Sequence, residues 1–249
     1  MNNKHYNNIL LNNNIIPSDD NQKKIALSLV TQKEKFILED AANALVYNKT
    51  ILPKNEKYSL IQYINEVNKI TNQYYFMYIQ ISQFEAFLRT YINHKMIAKY
   101  GSRWHQNEIM KDLSEFQTNT MAKIDKPSKA LNSISFGTLE LVYLNGSRFG
   151  NVFQSKLHSD KILTKNGQVK YHNKDLVKGL FSIVRNARND ICHHRRIGES
   201  IKSNPKYRKK KMTRSDVNKS LHDLKILLGY DNQFDVVSVD FKYREFLQV

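Results

Sequence analysis

The chain has little of several features that define common classes of protein. Its single cysteine excludes an internal disulfide framework and a cysteine-based zinc ribbon. Only 8 glycines and 4 prolines occur in 249 residues, which argues against a turn-rich all-β architecture. No apolar run approaches the roughly 20 residues of a membrane-spanning helix, and the polar, asparagine-rich N-terminus is unlike a signal peptide. We therefore expect a cytoplasmic, helical protein.

Acidic residues are scarce relative to basic ones. The chain has 39 Lys and Arg against 23 Asp and Glu, a formal net charge of +16. Such an excess bears on the partner, because neutralising phosphates supplies most of the non-specific affinity for nucleic acid. An anionic membrane surface is the competing partner, but no basic helix carries the Trp- and Phe-rich opposite face that it requires. The composition therefore predicts a nucleic-acid partner and no membrane.

The hydrophobic pattern predicts a flexible segment over residues 1–20 and a single helical domain over residues 21–249. A helix is expected to begin near Asp20, which we assign as its N-cap. Further helices are predicted over residues 105–124, 137–156, 173–196 and 215–229, with Asn173 and either Thr213 or Ser215 as caps. The Asn166-Gly167 pair predicts a tight β-hairpin between two of these helices.

The longest predicted helix covers residues 57–100, and a break near its middle remains open. Gly101 is a suitable terminator. An apolar stripe with alternating steps of four and three follows this segment, at Leu60, Ile64, Val67, Thr71, Tyr74, Tyr78, Ile81, Glu85, Leu88 and Ile92. Glu85 interrupts the stripe, and a carboxylate that faces a core needs a partner. Either it pairs with Arg89, four residues on, which we favour, or it orients an arginine of residues 185–196.

Residues 185–196 contain four arginines, two histidines, two asparagines and one aspartate. On a helix, Arg185, Asn189 and His193 form one stripe, which Arg196 would extend, and Arg188 lies about one quadrant away. Arginine holds phosphate with a fixed fork of donors, and histidine transfers protons near neutral pH. The cluster therefore suggests chemistry on a phosphodiester.

Such a cluster is sufficient for cleavage of RNA without a metal. A histidine takes the proton of the 2′-OH or gives one to the leaving 5′-oxygen, while an arginine stabilises charge on the transition state. The products are a 2′,3′-cyclic phosphate and a 5′-hydroxyl, and DNA is not a substrate because it has no 2′-OH. His193 and His194 point about 100° apart and lack the i, i+4 spacing of zinc ligands, so we expect no metal and no cofactor.

A strongly basic segment follows the cluster: residues 195–214 contain nine Lys or Arg and one acid. It is either a solvated charge run or a phosphate-binding flap beside the active site, and its position favours the flap. The residues predicted to contact RNA or phosphate are Arg185, His194, Arg195, Arg196, Arg208, Lys209, Lys210 and Lys211.

Residues 188–193, Arg-Asn-Asp-Ile-Cys-His, resemble the R-N-x-x-x-H signature of HEPN ribonucleases. The doubled histidine is similar to that of the Abi-like (AbiD/AbiF) abortive-infection proteins. Residues 84–92, followed by Tyr100-Gly101, resemble their E-x-x-L-R-T helix, and residues 135–139 resemble their S-F-G-x-L segment. The resemblance covers about residues 80–197. The Trp-Asn that often follows the histidines is replaced here by Ile197-Gly198, and the first 55 residues match poorly.

The resemblance implies an all-α, HEPN-type helical bundle with a long central helix and a small β-hairpin insertion. Arg188 and His193 would be catalytic, Asn189 would support them, and Glu85 and Arg89 would be supporting residues. HEPN sites are usually composite, so a chain with one motif is expected to form a homodimer. Such proteins act as toxins in antiphage or toxin–antitoxin systems, and relatives are paired with small structured non-coding RNAs. The alternative is a non-catalytic RNA-binding protein on the same scaffold.

Overall fold

A computed structural model describes residue 10 and residues 15–48, 58–106, 123–144, 161–163, 169–171, 174–199 and 212–230. The described part is mostly helical, as the composition predicted. Its helices are α1 (Asp20–Gln32), α2 (Lys35–Asn48), α3 (Leu60–Tyr100), α4 (Pro127–Asn132), α5 (Phe136–Leu144), α6 (Lys174–Cys192) and α7 (Arg214–Leu228), with a 3-10 turn at Trp104–Gln106. Within this part, no helix combines the length and apolar character that crossing a membrane demands.

The chain divides into two compact units. The first unit comprises residues 1–81 and 182–219, and the second comprises residues 82–181 and 220–249. The divisions fall inside α3, α6 and α7, so no linker marks them in the sequence. The arginine- and histidine-rich cluster belongs to the first unit. The single domain predicted over residues 21–249 stays a prediction.

Helix α1 begins where the sequence predicted, but its N-cap is Asp19 and the assignment of Asp20 was wrong. The Asp19 carboxylate accepts a hydrogen bond of 2.8 Å from the Gln22 backbone N–H, which satisfies one of the free donors of the first turn. Asp20, the first helical residue, forms an exposed ion pair with Lys23. The cap residue is therefore the acid whose own backbone is still extended.

Helix α3 runs unbroken for 41 residues, and its backbone ends at Gly101 as predicted. The predicted stripe was right at every seventh residue from Leu60 to Leu88. Between these positions, the buried residue lies one place earlier in the sequence than the predicted residue. The buried residues are Leu60, Tyr63, Val67, Ile70, Tyr74, Met77, Ile81, Phe84, Leu88, Ile92 and Met96. Steps of three and then four keep one face buried over several turns. Phe84 therefore occupies the core position, and Glu85 lies beside it.

The two described strand pairs are short. In the first unit, β1 (Ile15–Ile16) pairs in parallel with β2 (Tyr58–Ser59). In the second, β3 (Lys161–Leu163) and β4 (Val169–Tyr171) pair antiparallel, and they are the two arms of the predicted hairpin. Its Asn166-Gly167 turn lies outside the described residues.

Several other expectations have a mixed outcome. Pro127, between the helices predicted over residues 105–124 and 137–156, is the first residue of the short helix α4, a position that its missing N–H suits. Thr213 caps α7: its hydroxyl accepts the Asp216 N–H at 3.2 Å, and the Asp216 carboxylate accepts the Thr213 N–H at 3.0 Å. Most of the predicted helix 105–124, the end of that at 137–156, the Asn173 cap and the tail from residue 231 lie outside the described residues.

Candidate functional site

Helix α6 carries the candidate site at its C-terminal end. Its buried face comprises Val177, Leu180, Phe181, Val184, Ala187 and Asp190, so the apolar stripe ends on a fully buried carboxylate. The helix ends at Cys192, four residues earlier than predicted. Arg196 therefore does not extend the stripe of Arg185, Asn189 and His193, because its backbone is no longer helical.

The end of α6 has the hydrogen bonds of a Schellman motif. The His194 N–H donates to the Ile191 carbonyl at 3.1 Å, and the Arg195 N–H donates to the Asp190 carbonyl at 2.7 Å. His194 has a φ of 53°, and it is the one non-glycine residue with positive φ in the described part of the chain. Glycine usually occupies this position, because a Cβ makes the left-handed conformation costly.

His193 occupies the last turn before this reversal. Its backbone N–H donates to the Asn189 carbonyl at 3.0 Å, which is the hydrogen bond of one helical turn. His193 therefore lies one turn beyond Asn189, as the spacing predicted. The imidazole is exposed and makes no side-chain hydrogen bond among the described residues. Arg188 and Asn189 are half-buried on the same helix. An accessible imidazole thus directly follows the helix that carries an arginine and an amide.

The segment after the reversal is fixed to the helix by Asp190. The Asp190 carboxylate accepts a hydrogen bond of 2.8 Å from the buried Gly198 N–H. Gly198 has a φ of 88°, and a Cβ there would meet the Met212 carbonyl oxygen at 2.9 Å, so a side chain fits neither the backbone nor the space. We call residues 193–199 the return loop. No role for Asp190 was predicted from the sequence, although this residue continues the apolar spacing of Val184 and Ala187.

Tyr74 of α3 supports the return loop. Its hydroxyl accepts a hydrogen bond of 3.4 Å from the Ile197 N–H, and its ring packs 5.1 Å from that of Phe36. The Arg214 guanidinium carbon lies 5.9 Å from the ring centroid, within cation–π range. Burial raises the pKa of the Tyr74 hydroxyl, so it is neutral at physiological pH and acts here as a hydrogen-bond partner.

Acidic side chains in α2 and just before it contact two of the residues that were predicted to bind phosphate. Arg196 forms ion pairs with Asp40 at 2.8 Å and Glu39 at 3.2 Å, and His194 Nδ1 lies 2.9 Å from Glu34. Both groups thus have structural partners, and their role toward phosphate stays a prediction. These acids were missed because they lie some 160 residues away in the chain, and no local pattern links them to the cluster.

Arg185 is half-buried and Arg195 is exposed, and their contact with phosphate stays a prediction. The remaining predicted phosphate contacts, Arg208, Lys209, Lys210 and Lys211, lie outside the described residues.

Glu85 and Arg89 form the local ion pair that we favoured. Both side chains are 13% exposed, and the Arg89 guanidinium also donates to the Leu131 carbonyl at the end of α4. Arg89 therefore joins two helices of the second unit, and the Glu85 carboxylate orients its guanidinium there. These contacts give the segment that resembles E-x-x-L-R-T a structural role.

The described residues contain no group of three or more His, Cys, Asp or Glu that could hold a metal ion. Comparisons of the chain with protein-family models, with curated proteins and with solved structures found no match.

Proposed function

We propose that this chain is a metal-independent endoribonuclease of the HEPN type, acting as a toxin in an antiphage or toxin–antitoxin system. The observation that carries the proposal is the exposed His193 imidazole directly after α6, one turn beyond Asn189 of that helix, which also carries Arg188. The Asp190–Gly198 hydrogen bond fixes the backbone that follows it. A net charge of +16 attracts the polyanionic substrate.

In this reaction the ribose 2′-oxygen attacks the adjacent phosphorus, and the bond from phosphorus to the 5′-oxygen breaks. His193 transfers a proton to or from the reacting oxygens, and Arg188 stabilises the charge that develops on the phosphoryl oxygens. The half-buried Asn189 amide supports the geometry of both. One proton leaves the 2′-hydroxyl and one proton reaches the 5′-oxygen, so the protons balance. The products are a 2′,3′-cyclic phosphate and a 5′-hydroxyl.

One imidazole and one guanidinium make half of a two-histidine site, so we propose that two copies of the chain face each other across the RNA. A composite site would explain why His193 is exposed in the single chain. The charge also suits a small structured non-coding RNA as an inhibitory partner.

A second candidate is a non-catalytic RNA-binding protein. It is favoured by the contact of His194 with Glu34 and by the ion pair of Arg196 with Asp40, which give part of the cluster a structural role. Both candidates predict RNA binding that weakens as salt is added. They differ only in whether His193 is needed for a chemical step.

The test is cleavage of a panel of RNAs by wild type, by His193→Ala and by His222→Ala, a matched control at an exposed histidine of α7. We expect His193→Ala to lower the cleavage rate at least 100-fold, the scale of a general acid–base catalyst, and to leave RNA affinity within about threefold. His222→Ala should cleave as wild type does. Mass spectrometry should find 2′,3′-cyclic phosphate termini. A wild-type protein that binds RNA but leaves the whole panel intact would establish the second candidate.

A further inference from the structure

The side of α3 opposite its buried stripe carries no charge in the first unit. A second stripe with alternating steps of four and three runs along this side, and all of its residues are exposed or half-buried. The two charged residues within its range, Glu66 and Lys69, lie to one side and pair with each other at 3.1 Å. We call it the neutral stripe, and its members are Ile61, Asn65, Asn68, Asn72, Tyr75, Phe76 and Ile79.

The neutral stripe has the composition of a protein interface. Three of its apolar side chains are well exposed: Ile61 at 65%, Tyr75 at 51% and Phe76 at 43%. The buried centre of an interface is depleted in charged residues and enriched in aromatic ones. In a chain in which 25% of residues are charged, an exposed helix side without charge therefore indicates a surface that contacts another protein.

The same composition defines the partner's surface. Aromatic side chains that stack on unpaired bases work beside cations that hold the phosphates, and the neutral stripe contains none. A strongly acidic or strongly basic protein surface would likewise find no opposite charge here. The complementary surface is therefore uncharged, with apolar groups and amides of its own.

A second copy of the chain offers such a surface. Two copies with a net charge of +16 repel each other, so they approach best through a side without charge. The amides of Asn65, Asn68 and Asn72 both donate and accept, so they can pair with the identical surface of a two-fold-related copy. The seven-residue repeats Ile61–Asn68–Tyr75 and Asn65–Asn72–Ile79 have the spacing with which two helices pack along one seam.

We propose that two copies of the chain associate through the neutral stripe of α3. The inference rests on the proposed function for the need for a second copy, whereas the surface follows from α3 alone. The stripe extends about 27 Å at 1.5 Å per residue. One helix side of this length is small beside the roughly 800 Å² that each partner contributes to a standard interface, so we expect a reversible dimer.

The experiment measures association by sedimentation equilibrium on the full chain, after nuclease digestion has removed bound RNA. Wild type is compared with Asn72→Lys, with Asn72→Glu and with an equimolar mixture of these two variants. Asn72 is exposed in the middle of the stripe, so neither change disturbs the core. Asn21→Lys is the matched control, because Asn21 is an exposed asparagine of α1 and the change in charge is the same.

We expect wild type to dimerise and each Asn72 variant alone to associate at least tenfold more weakly, because like charges then face each other. The mixture should regain association, and Asn21→Lys should stay within twofold of wild type. Added salt should leave the wild-type dimer intact, whereas pairing through RNA would weaken.

Three results would overturn the inference: a monomeric wild type, an Asn72→Lys variant that dimerises as well as Asn21→Lys does, or a mixture that stays monomeric. A monomeric wild type that cleaves RNA through His193 would leave the proposed chemistry standing. A dimer that depends on the neutral stripe but cleaves no RNA would support the inference and remove the proposed function.

Discussion

Helices α3 and α6 are each followed by a left-handed residue, and the two ends accommodate it by different means. Helix α3 ends at Gly101, which has a φ of 82° and open space where a Cβ would be. Helix α6 ends at His194, which has a φ of 53° and carries a full side chain. The glycine adopts its conformation at no steric cost, whereas a left-handed non-glycine residue costs about 1–2 kcal/mol.

The difference lies in what surrounds each helix end. Hydrogen bonds within the first unit hold the α6 end in place: the Gly198 N–H donates to Asp190, and the Ile197 N–H donates to Tyr74. The contact of His194 with Glu34 and the ion pairs of Arg196 with Glu39 and Asp40 add to this support. Strained conformations persist where surrounding contacts determine them, and they cluster at functional sites. Contacts from distant parts of the chain therefore support the end of α6, beside His193.

The largest effect on stability is expected at Gly198, with Gly101 as the matched position. Gly198→Ala combines a left-handed alanine with a Cβ 2.9 Å from the Met212 carbonyl oxygen, so we expect a loss of about 3 kcal/mol. Gly101→Ala has the strain without the contact and should lose about 1 kcal/mol. Urea denaturation of both variants checks this. Equal losses would show that the return loop is not held closely against Met212.

A smaller effect is expected at Asp190. Asp190→Ala leaves the buried Gly198 N–H without its acceptor, which should lower the free energy of unfolding by about 2 kcal/mol. Asp190→Asn keeps an oxygen at the same place and should lose less than half as much. The two variants are compared by thermal denaturation, and their cleavage rates should follow the same order. If alanine and asparagine behave alike, the hydrogen bond does not hold the loop.

The sequence predicted what depends on local pattern. The long helix and its end at Gly101 follow from apolar periodicity and one glycine, and the His193–Asn189 stacking follows from helical spacing. The error at alternate positions of α3 arose because steps of three and four can be taken in either order when Ile64 and Tyr63 are both apolar enough to be buried.

The end of α6 depends on distant residues and was missed. None of the five residues after Cys192 is a glycine, so the run of helix-compatible residues gave no signal for a stop. The reversal is stabilised by acids of the α2 region and by Tyr74, whose partnership with residues 194–197 exists only in the folded chain. Asp190 was the one local clue, because a buried position in an apolar stripe requires a carboxylate to have a partner.

The smallest effect, and the most direct comparison of the two helix ends, is expected from His194→Gly. The change makes the end of α6 resemble that of α3: it removes about 1 kcal/mol of left-handed strain. It also removes the Glu34 ion pair, which is worth at most about 0.5 kcal/mol because the His194 side chain is 75% exposed. Thermal denaturation should therefore show a gain of about 0.5 kcal/mol, whereas His194→Ala, which loses the pair and keeps the strain, should be destabilised. A destabilised His194→Gly would mean that the imidazole contributes more to the return loop than its exposure indicates, and a histidine would then be required at this turn for structural reasons.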